Sequence, residues 1–317
     1  MPRLTECIRR LAGFLVALTL AACSAGDKSS SGDAPAMREV RMAVRGDEAD
    51  ATVAARWDAY KRAIERATLL PVKIFEASDY NGLIQALAAG QVDVAQYGAN
   101  SYANTYAQVG DKVVPLLAVR EAEGGMGYYA AMLVRADSPY QSIADLKGKS
   151  LGFVDLNSTS GYLLPRQTMR AQGMDPDTYF GKVGFAGGHP QAVMALMNGQ
   201  FDAVITQVSG GDPETGFSTG AHFSLARRGL VDLAKLRIIW TAGPMPNSPI
   251  VMRADRPAGI TDAIRGAIAA LPYDEPDTWI EIGQTPGSVP AAVNHEVYAG
   301  VVKMREDEIA QRRNGGQ

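Results

Sequence analysis

The sequence predicts an α/β protein of two doubly wound lobes joined by two crossover strands. Three observations predict it: strand-like and helix-like segments alternate, the alternation runs twice, and two similar apolar segments stand between the runs. "REVRMAV" alternates polar and apolar residues as a first strand does. "ATVAARWDAYKRAIERATLL" places Val53, Trp57, Ile64 and Ala67 among charges, the pattern of an amphipathic helix. "PVKIFEA" is a second strand, and "SDYNGLIQALAAG" a helix with Ser78 and Asp79 as cap candidates and Gly90 as its stop. "QVDVAQYG" is a third strand. The same grammar recurs in "KSLGFVD" (strand), "SGYLLPRQTMRAQG" (helix), "GKVGFAG" (strand), "HPQAVMALMNG" (helix) and "FDAVITQV" (strand). No repeat of roughly 20 to 50 residues links these units, which excludes a solenoid.

"YYAAMLVRADSP" (128–139) and "SPIVMRADRP" (248–257) are each an apolar strand ending in a basic residue, Ala-Asp and a proline. They read as the two crossings between lobes. Residues 38–126 and 248–317 are then lobe one, and 127–247 lobe two. A chain of 317 residues, 46% hydrophobic, is long enough to divide its core in this way.

The N-terminal segment reads as export machinery. Arg3, Arg9 and Arg10 precede an apolar run, Leu11 to Ala22, too short for a stable membrane span. "LAAC", ending at Cys23, resembles the lipobox at which bacterial lipoproteins are cut and lipidated. That resemblance implies a signal peptide over residues 1–22, a lipid on Cys23 and a periplasmic, membrane-anchored protein. An ordinary signal peptide cleaved after Ala22 is the alternative. "SAGDKSSSGDAPAM" lacks periodicity and reads as a flexible tether, residues 23–37 including Cys23. Loss of the leader, with its three arginines and one glutamate, takes the formal charge from −3 to −5. The product is mildly acidic, with no basic stripe for nucleic acid. Cys7 leaves with the leader, so no cysteine pair is left to form a disulfide.

In open α/β sheets ligands lie beyond the carboxyl ends of the strands, where helix N-termini converge. Four loops meet that description: "ASDYNG", "AQYGANS", "VDLNSTSG" and "AGGHPQ". In the third, Ser158, Thr159 and Ser160 stand before Gly161 and a helix. Hydroxyls, unpaired first-turn amides and the helix dipole suit an oxyanion, and a glycine lets it come close. A helix cap alone would need only one of the three hydroxyls. A nucleophile would need an elbow such as G-x-S-x-G, and no glycine precedes these serines at that spacing. His189 suits a base or a donor to an anion equally. Tyr80 and Tyr97 stand at the first two loops, where a phenol can donate while its ring covers a small ligand. "GKS" (148–150) lacks the upstream glycine and the following helix of a phosphate loop. HxH, HExxH and CxxC are absent, so no metal or cofactor is expected.

Taken in order, "ASDYNGLIQALAAGQVDVAQYGANSY", "VDLNSTSGYLLPR" and "GGHPQAVMALMNGQFDA" resemble the phosphonate-binding proteins of ABC importers, from about residue 38 to about 255. The resemblance implies a type II periplasmic binding protein, not an enzyme, that hands a phosphorus oxyanion to an inner-membrane permease. Carried over residue by residue, it implies that Ser158, Thr159, Ser160, His189, Tyr80 and Tyr97 bind the ligand of a monomeric protein. Family members that prefer 2-aminoethylphosphonate add two acids around the ammonium. Here Ser209 and Ser248 stand at those positions, although a shift of the loop would offer Asp212, with Glu214 near it. An ammonium closed between lobes without a countercharge is costly, so two serines favour a ligand with no amine. A 2-aminoethylphosphonate binder, a ligand-presenting partner of a membrane sensor and an exported serine hydrolase using His189 are the rival readings. The charged C-terminal stretch "MREDEIAQRRNGGQ" reads as a solvated helix with a frayed end and no function.

Overall fold

A helix-period or strand-period segment becomes an element only where its apolar face finds a partner, and here two sheets provide it. The structure is a computed structural model that describes residues 37–45, 51–122, 124–281 and 284–315. The expected leader, Cys23 and the tether up to residue 36 lie outside the described residues. The first run gives β1 (Val40–Arg45), α1 (Ala51–Thr68), β2 (Val72–Ala77), α2 (Tyr80–Ala88), β3 (Val94–Gln96), α3 (Ala99–Val109) and β4 (Val113–Arg120). The second gives β5 (Gly127–Arg135), β6 (Ser150–Phe153), α4 (Leu164–Ala171), α5 (Pro176–Tyr179), β7 (Lys182–Phe185), α6 (His189–Met197) and β8 (Ala203–Ser209). After these come β9 (Thr219–Gly220), α7 (Ala221–Arg227), β10 (Leu236–Pro246), β11 (Ile250–Arg253), α8 (Ala258–Asp274), α9 (Pro276–Glu281), β12 (Val289–Ala292) and α10 (His295–Gly315).

One sheet has the order β12-β4-β11-β3-β1-β2 and the other β10-β5-β8-β6-β7, with β9 paired to β8. Each keeps a parallel centre, β2-β1-β3 in one and β7-β6-β8 in the other, and adds antiparallel strands. The chain passes from β4 to β5 through residues 121–126 and returns from β10 to β11 through residues 247–249. The paired segments noted in the sequence are therefore the first strands entered after each change of sheet.

The halves repeat one another closely. The same residue offset separates β1 from β6, α2 from α6 and β3 from β8 at their first residues, allowing one residue of fraying at β1. Each third strand is preceded by an aspartate that accepts the first strand's main-chain amide. Asp93 takes that of Arg41 at 2.7 Å, and Asp202 that of Ser150 at 2.9 Å.

Buried clusters support the sheets. Trp279 and Tyr60 are covered in the first, and Trp279 Nε1 donates to the Ser288 carbonyl at 2.9 Å, so its burial leaves no unpaired donor. Each such side chain contributes roughly 1.5–3 kcal/mol by leaving water. From Met37 onward the chain forms one compact unit.

The C-terminal helix departs from the expectation of a solvated segment. α10 packs on α3, and Glu308 within it is fully buried, because its partners Tyr162, Arg166 and Arg170 come from the second sheet's layer. Those partners lie far away in sequence, where local charge patterning cannot see them.

Candidate ligand-binding site

The carboxyl ends of β2, β3, β6 and β7 each lead into a helix start, as the loop reading expects. After β6 the backbone of Ser158 is extended, and its Oγ accepts the Gly161 amide at 3.0 Å. The next five residues, Thr159–Leu163, form a π-turn, closed by the Leu163 amide on the Ser158 carbonyl at 3.1 Å, before α4 begins. Gly161 is needed for a reason other than room for a ligand. A Cβ there would stand 2.4 Å from Val154 Cβ and 2.8 Å from Ser158 Oγ, so only glycine lets the turn lie on its own strand end. Ser158, Thr159 and Ser160 are buried.

His189 opens α6 behind Gly188, which offers no capping side chain, and its ring is buried against the seat. Thr206 on β8 donates to Gln207 Oε1 at 3.2 Å, which leaves its oxygen to accept from His189 Nδ1, also at 3.2 Å. The other ring nitrogen of His189, Nε2, lies 3.5 Å from Ser158 Oγ. At Nδ1 the imidazole meets the hydroxyl of Thr206, where a hydrolytic triad has a carboxylate.

Tyr128 is the residue that sequence reasoning missed. It is the second residue of β5, just past the first change of sheet, and its buried phenol lies close to the side-chain hydroxyls of Thr159, Ser160 and Ser248. Burial pushes the phenol's pKa up, more than those hydroxyls pull it back, so it is a hydrogen-bond donor throughout the neutral range. The signal was available in "YYAAMLVRADSP", where a tyrosine opens the strand that leaves the crossing.

The first sheet's α3 closes on the same turn. The Asn100 amide donates to Thr159 Oγ1 at 2.9 Å, and a Cβ on Gly98 would stand 2.9 Å from that oxygen. Asn100 Nδ2 donates to the Leu156 carbonyl at 3.1 Å, Ser101 Oγ to that of Asn157 at 3.2 Å, and Asn104 Nδ2 to Asn157 Oδ1 at 3.0 Å. These α3 residues were also missed, although "GANSYANT" shows a polar face at a helix start.

Thr159, Ser160 and Ser248 thus lie close to Tyr128, and His189 meets the same turn at Ser158. Tyr80, first residue of α2, is buried in the same apolar cluster as Val154, Ala192 and Val193 of the opposite lobe, so its ring does cross between lobes. Tyr97 is turned elsewhere. Thr105 donates to the Ser101 carbonyl at 2.9 Å, so the Tyr97 phenol donates to Thr105 at 2.8 Å, within its own lobe. Ser209 Oγ shares a hydrogen bond of 2.6 Å with Thr219. The Asp212 carboxylate accepts the amides of Thr215 and Glu214 at 2.8 Å each, which hold its pKa below the usual carboxylate range, and Glu214 is exposed. An array of hydroxyls and helix-start amides with no ionised side chain among them is chemically a seat for an anion rich in acceptor oxygens.

This fold and seat define a two-lobed binding protein of the type II periplasmic class. Residues 42–292 match the model of the family described as ABC transporter, phosphonate, periplasmic substrate-binding protein, and the chain belongs to that family. It is 31% identical over 247 residues to the phosphate-import protein PhnD of Mycolicibacterium smegmatis, covering 75% of this chain and 73% of that protein. It is 26% identical over 220 residues to the phosphonates-binding periplasmic protein of Escherichia coli, covering 68% of this chain and 61% of that one. The solved structure of PhnD1 from Prochlorococcus marinus in complex with methylphosphonate has a TM-score of 0.69 at 16% identity, covering 85% of this chain and 98% of that one. These relatives are transport binding proteins, not enzymes. Among the described residues no helix is long and apolar enough to cross a membrane.

Proposed function

We propose that this protein captures a small phosphorus oxyanion between its lobes and delivers it to the permease of an ABC importer, as a monomer anchored in the periplasm by a lipid on Cys23. The observation that carries the reading is the gathering of buried hydroxyls at one helix start, Ser158, Thr159 and Ser160 on the π-turn, with the buried Tyr128 phenol close to Thr159, Ser160 and Ser248. One phenol bridges the seat of one lobe and the crossing to the other, so an anion held there is held by both. On this reading the ligand meets the second-lobe hydroxyls and amides first, and closure brings Tyr80 and α3 over it. Closure excludes water, and each hydrogen bond to the anion then acts in a lower dielectric.

The ligand is one without an amine: inorganic phosphate, phosphite or methylphosphonate. Ser209 and Asp212 are engaged with Thr219 and with turn amides, and Ser248 offers only a hydroxyl, so no acid supports an ammonium at the positions where amine-binding relatives use one. The name of the mycobacterial relative, a phosphate-import protein, favours the same compact class. The test is a melting-temperature panel with phosphate, phosphite, methylphosphonate, 2-aminoethylphosphonate and sulfate. The compact phosphorus anions are expected to raise melting most, by mass action on the folded state. A largest shift from 2-aminoethylphosphonate would overturn the ligand class, and no shift from any phosphorus anion would overturn the reading itself.

A further inference from the structure

Glu308 is a fully buried carboxylate on a helix that touches both lobes. Its Oε1 accepts from the Tyr162 hydroxyl at 2.7 Å and from Arg312 Nε at 2.9 Å, with Arg166 Nε 3.2 Å away. Its Oε2 accepts from Arg170 Nη1 at 2.9 Å and Gln167 Nε2 at 2.8 Å. Tyr162 belongs to the π-turn that carries Thr159 and Ser160, and Arg166, Gln167 and Arg170 lie on α4, which continues that turn. One carboxylate therefore grips the anion seat from behind.

Gln311 and Arg312 add bonds to Arg170 and Tyr162 of the second lobe, and the earlier part of α10 is fastened to the first lobe and the crossings. Arg305 Nε donates to Asn104 Oδ1 at 2.7 Å on α3, and the Tyr102 hydroxyl meets His295 Nδ1 at 2.9 Å. The Tyr298 hydroxyl donates to the Asn247 carbonyl at 3.0 Å, and Asn247, in the second crossing, is itself tied to the first crossing through Met126 and to β4 through Val119. We infer that Glu308 is a positioning residue, a latch by which the C-terminal helix, fixed to the first lobe and the crossings, holds the seat-bearing π-turn and α4 of the second lobe in the closed arrangement. This rests on the reading that the lobes close around an anion.

The physical reason is the concentration of charge. Three guanidinium groups, of Arg166, Arg170 and Arg312, converge on this buried carboxylate, while Asp177 and Asp175 hold Arg166 and Arg170 from the start of α5. Without the charge of Glu308, those acids keep Arg166 and Arg170 on the second lobe and α10 loses its ionic hold on α4. Such a contact biases an open-closed equilibrium without meeting the ligand, and affinity falls with the fraction of molecules able to close.

The test compares wild type, Glu308→Gln and Tyr162→Phe by small-angle scattering without ligand and by titration with inorganic phosphate and methylphosphonate. A latch predicts a larger radius of gyration for ligand-free Glu308→Gln than for wild type, and affinity weaker by about tenfold or more, the equivalent of one hydrogen bond to a charged group. Tyr162→Phe is expected to move both readings the same way by less. Lower melting with unchanged radius and affinity would make Glu308 a packing residue only and overturn the proposal. Should Glu308→Gln not fold, Tyr162→Phe decides by the same two readings, since it removes a single hydroxyl. Failure of wild type to bind either anion would refute the proposed ligand class, while the radius comparison still decides the latch.

Discussion

In the first lobe Asp93 accepts the main-chain amide of Arg41, and in the second Asp202 accepts that of Ser150, with donor and acceptor 52 positions apart in both. The side chains that complete the two clusters differ. Asp93 is paired with the guanidinium groups of Arg41 and Arg256, whereas Asp202 takes the hydroxyls of Ser150 and Tyr140. The helix starts differ in the same sense. Asp79 caps α2 with a carboxylate on the Gly82 amide, while its counterpart in the repeat, Gly188, brings no side chain to α6. At the equivalent first helical position the first lobe has Tyr80 and the second His189. The comparison teaches how one scaffold yields a holder and a cover. In the first lobe a carboxylate already occupies the start of α2, whereas the two second-lobe starts that meet at the seat, the π-turn behind Ser158 and α6 behind Gly188, carry only neutral groups and so leave dipole and amides to an outside anion.

The largest expected effect tests that division. Ser158→Ala combined with Ser160→Ala should cost about 3–6 kcal/mol in anion binding, at about 1.5–3 per hydrogen bond to a charged group. Tyr97→Phe, in the first lobe and turned onto Thr105, should cost less than about 0.5 kcal/mol. Calorimetry that returned the opposite order would break the comparison. A second test concerns stability. Asp93→Asn strands two arginines over a buried site and should cost about 3–5 kcal/mol in urea unfolding. Asp202→Asn keeps hydroxyl partners and should cost about 1–2 kcal/mol, and equal losses would mean that the charge difference between the lobes is unimportant. The smallest effect appears with pH. His222, buried on α7 of the second lobe with Nδ1 unpartnered, has its pKa lowered by burial to about 4. The unfolded chain takes up that proton from about pH 6.5 downward and the folded one refuses it, so stability falls with acidification until about pH 4. The loss is at most about 3 kcal/mol and should be absent in His222→Gln. An equal acid sensitivity in the variant would place the effect elsewhere.

Much of this was legible in the sequence because it is local. The alternation of strand and helix, Asp79 as a cap and the three-hydroxyl step at 158–160 depend on neighbours within a few residues. What was not legible depends on closure. Tyr128 becomes part of the seat because the chain changes sheet just before it, and Asn100 because α3 of the other lobe arrives against Thr159. Gly161 illustrates a subtler limit: a glycine beside a ligand loop suggests space for the ligand, but the nearest competing atoms belong to Val154. Tyr97 shows the opposite case, since its position at a strand end says nothing of Thr105, eight residues further on, sharing a hydrogen bond with its hydroxyl. For α10 the charges read as solvated because the groups that bury Glu308 come from the opposite lobe.

The neutral character of the seat has a consequence for the medium in which the protein works. Attraction that depends on fixed lysines or arginines weakens as salt screens them. Here the described groups that meet at the seat are hydroxyls, an imidazole and backbone dipoles, buried away from mobile ions. Capture should therefore change little between dilute and saline surroundings, a useful property in a compartment whose ionic strength follows the world outside the cell.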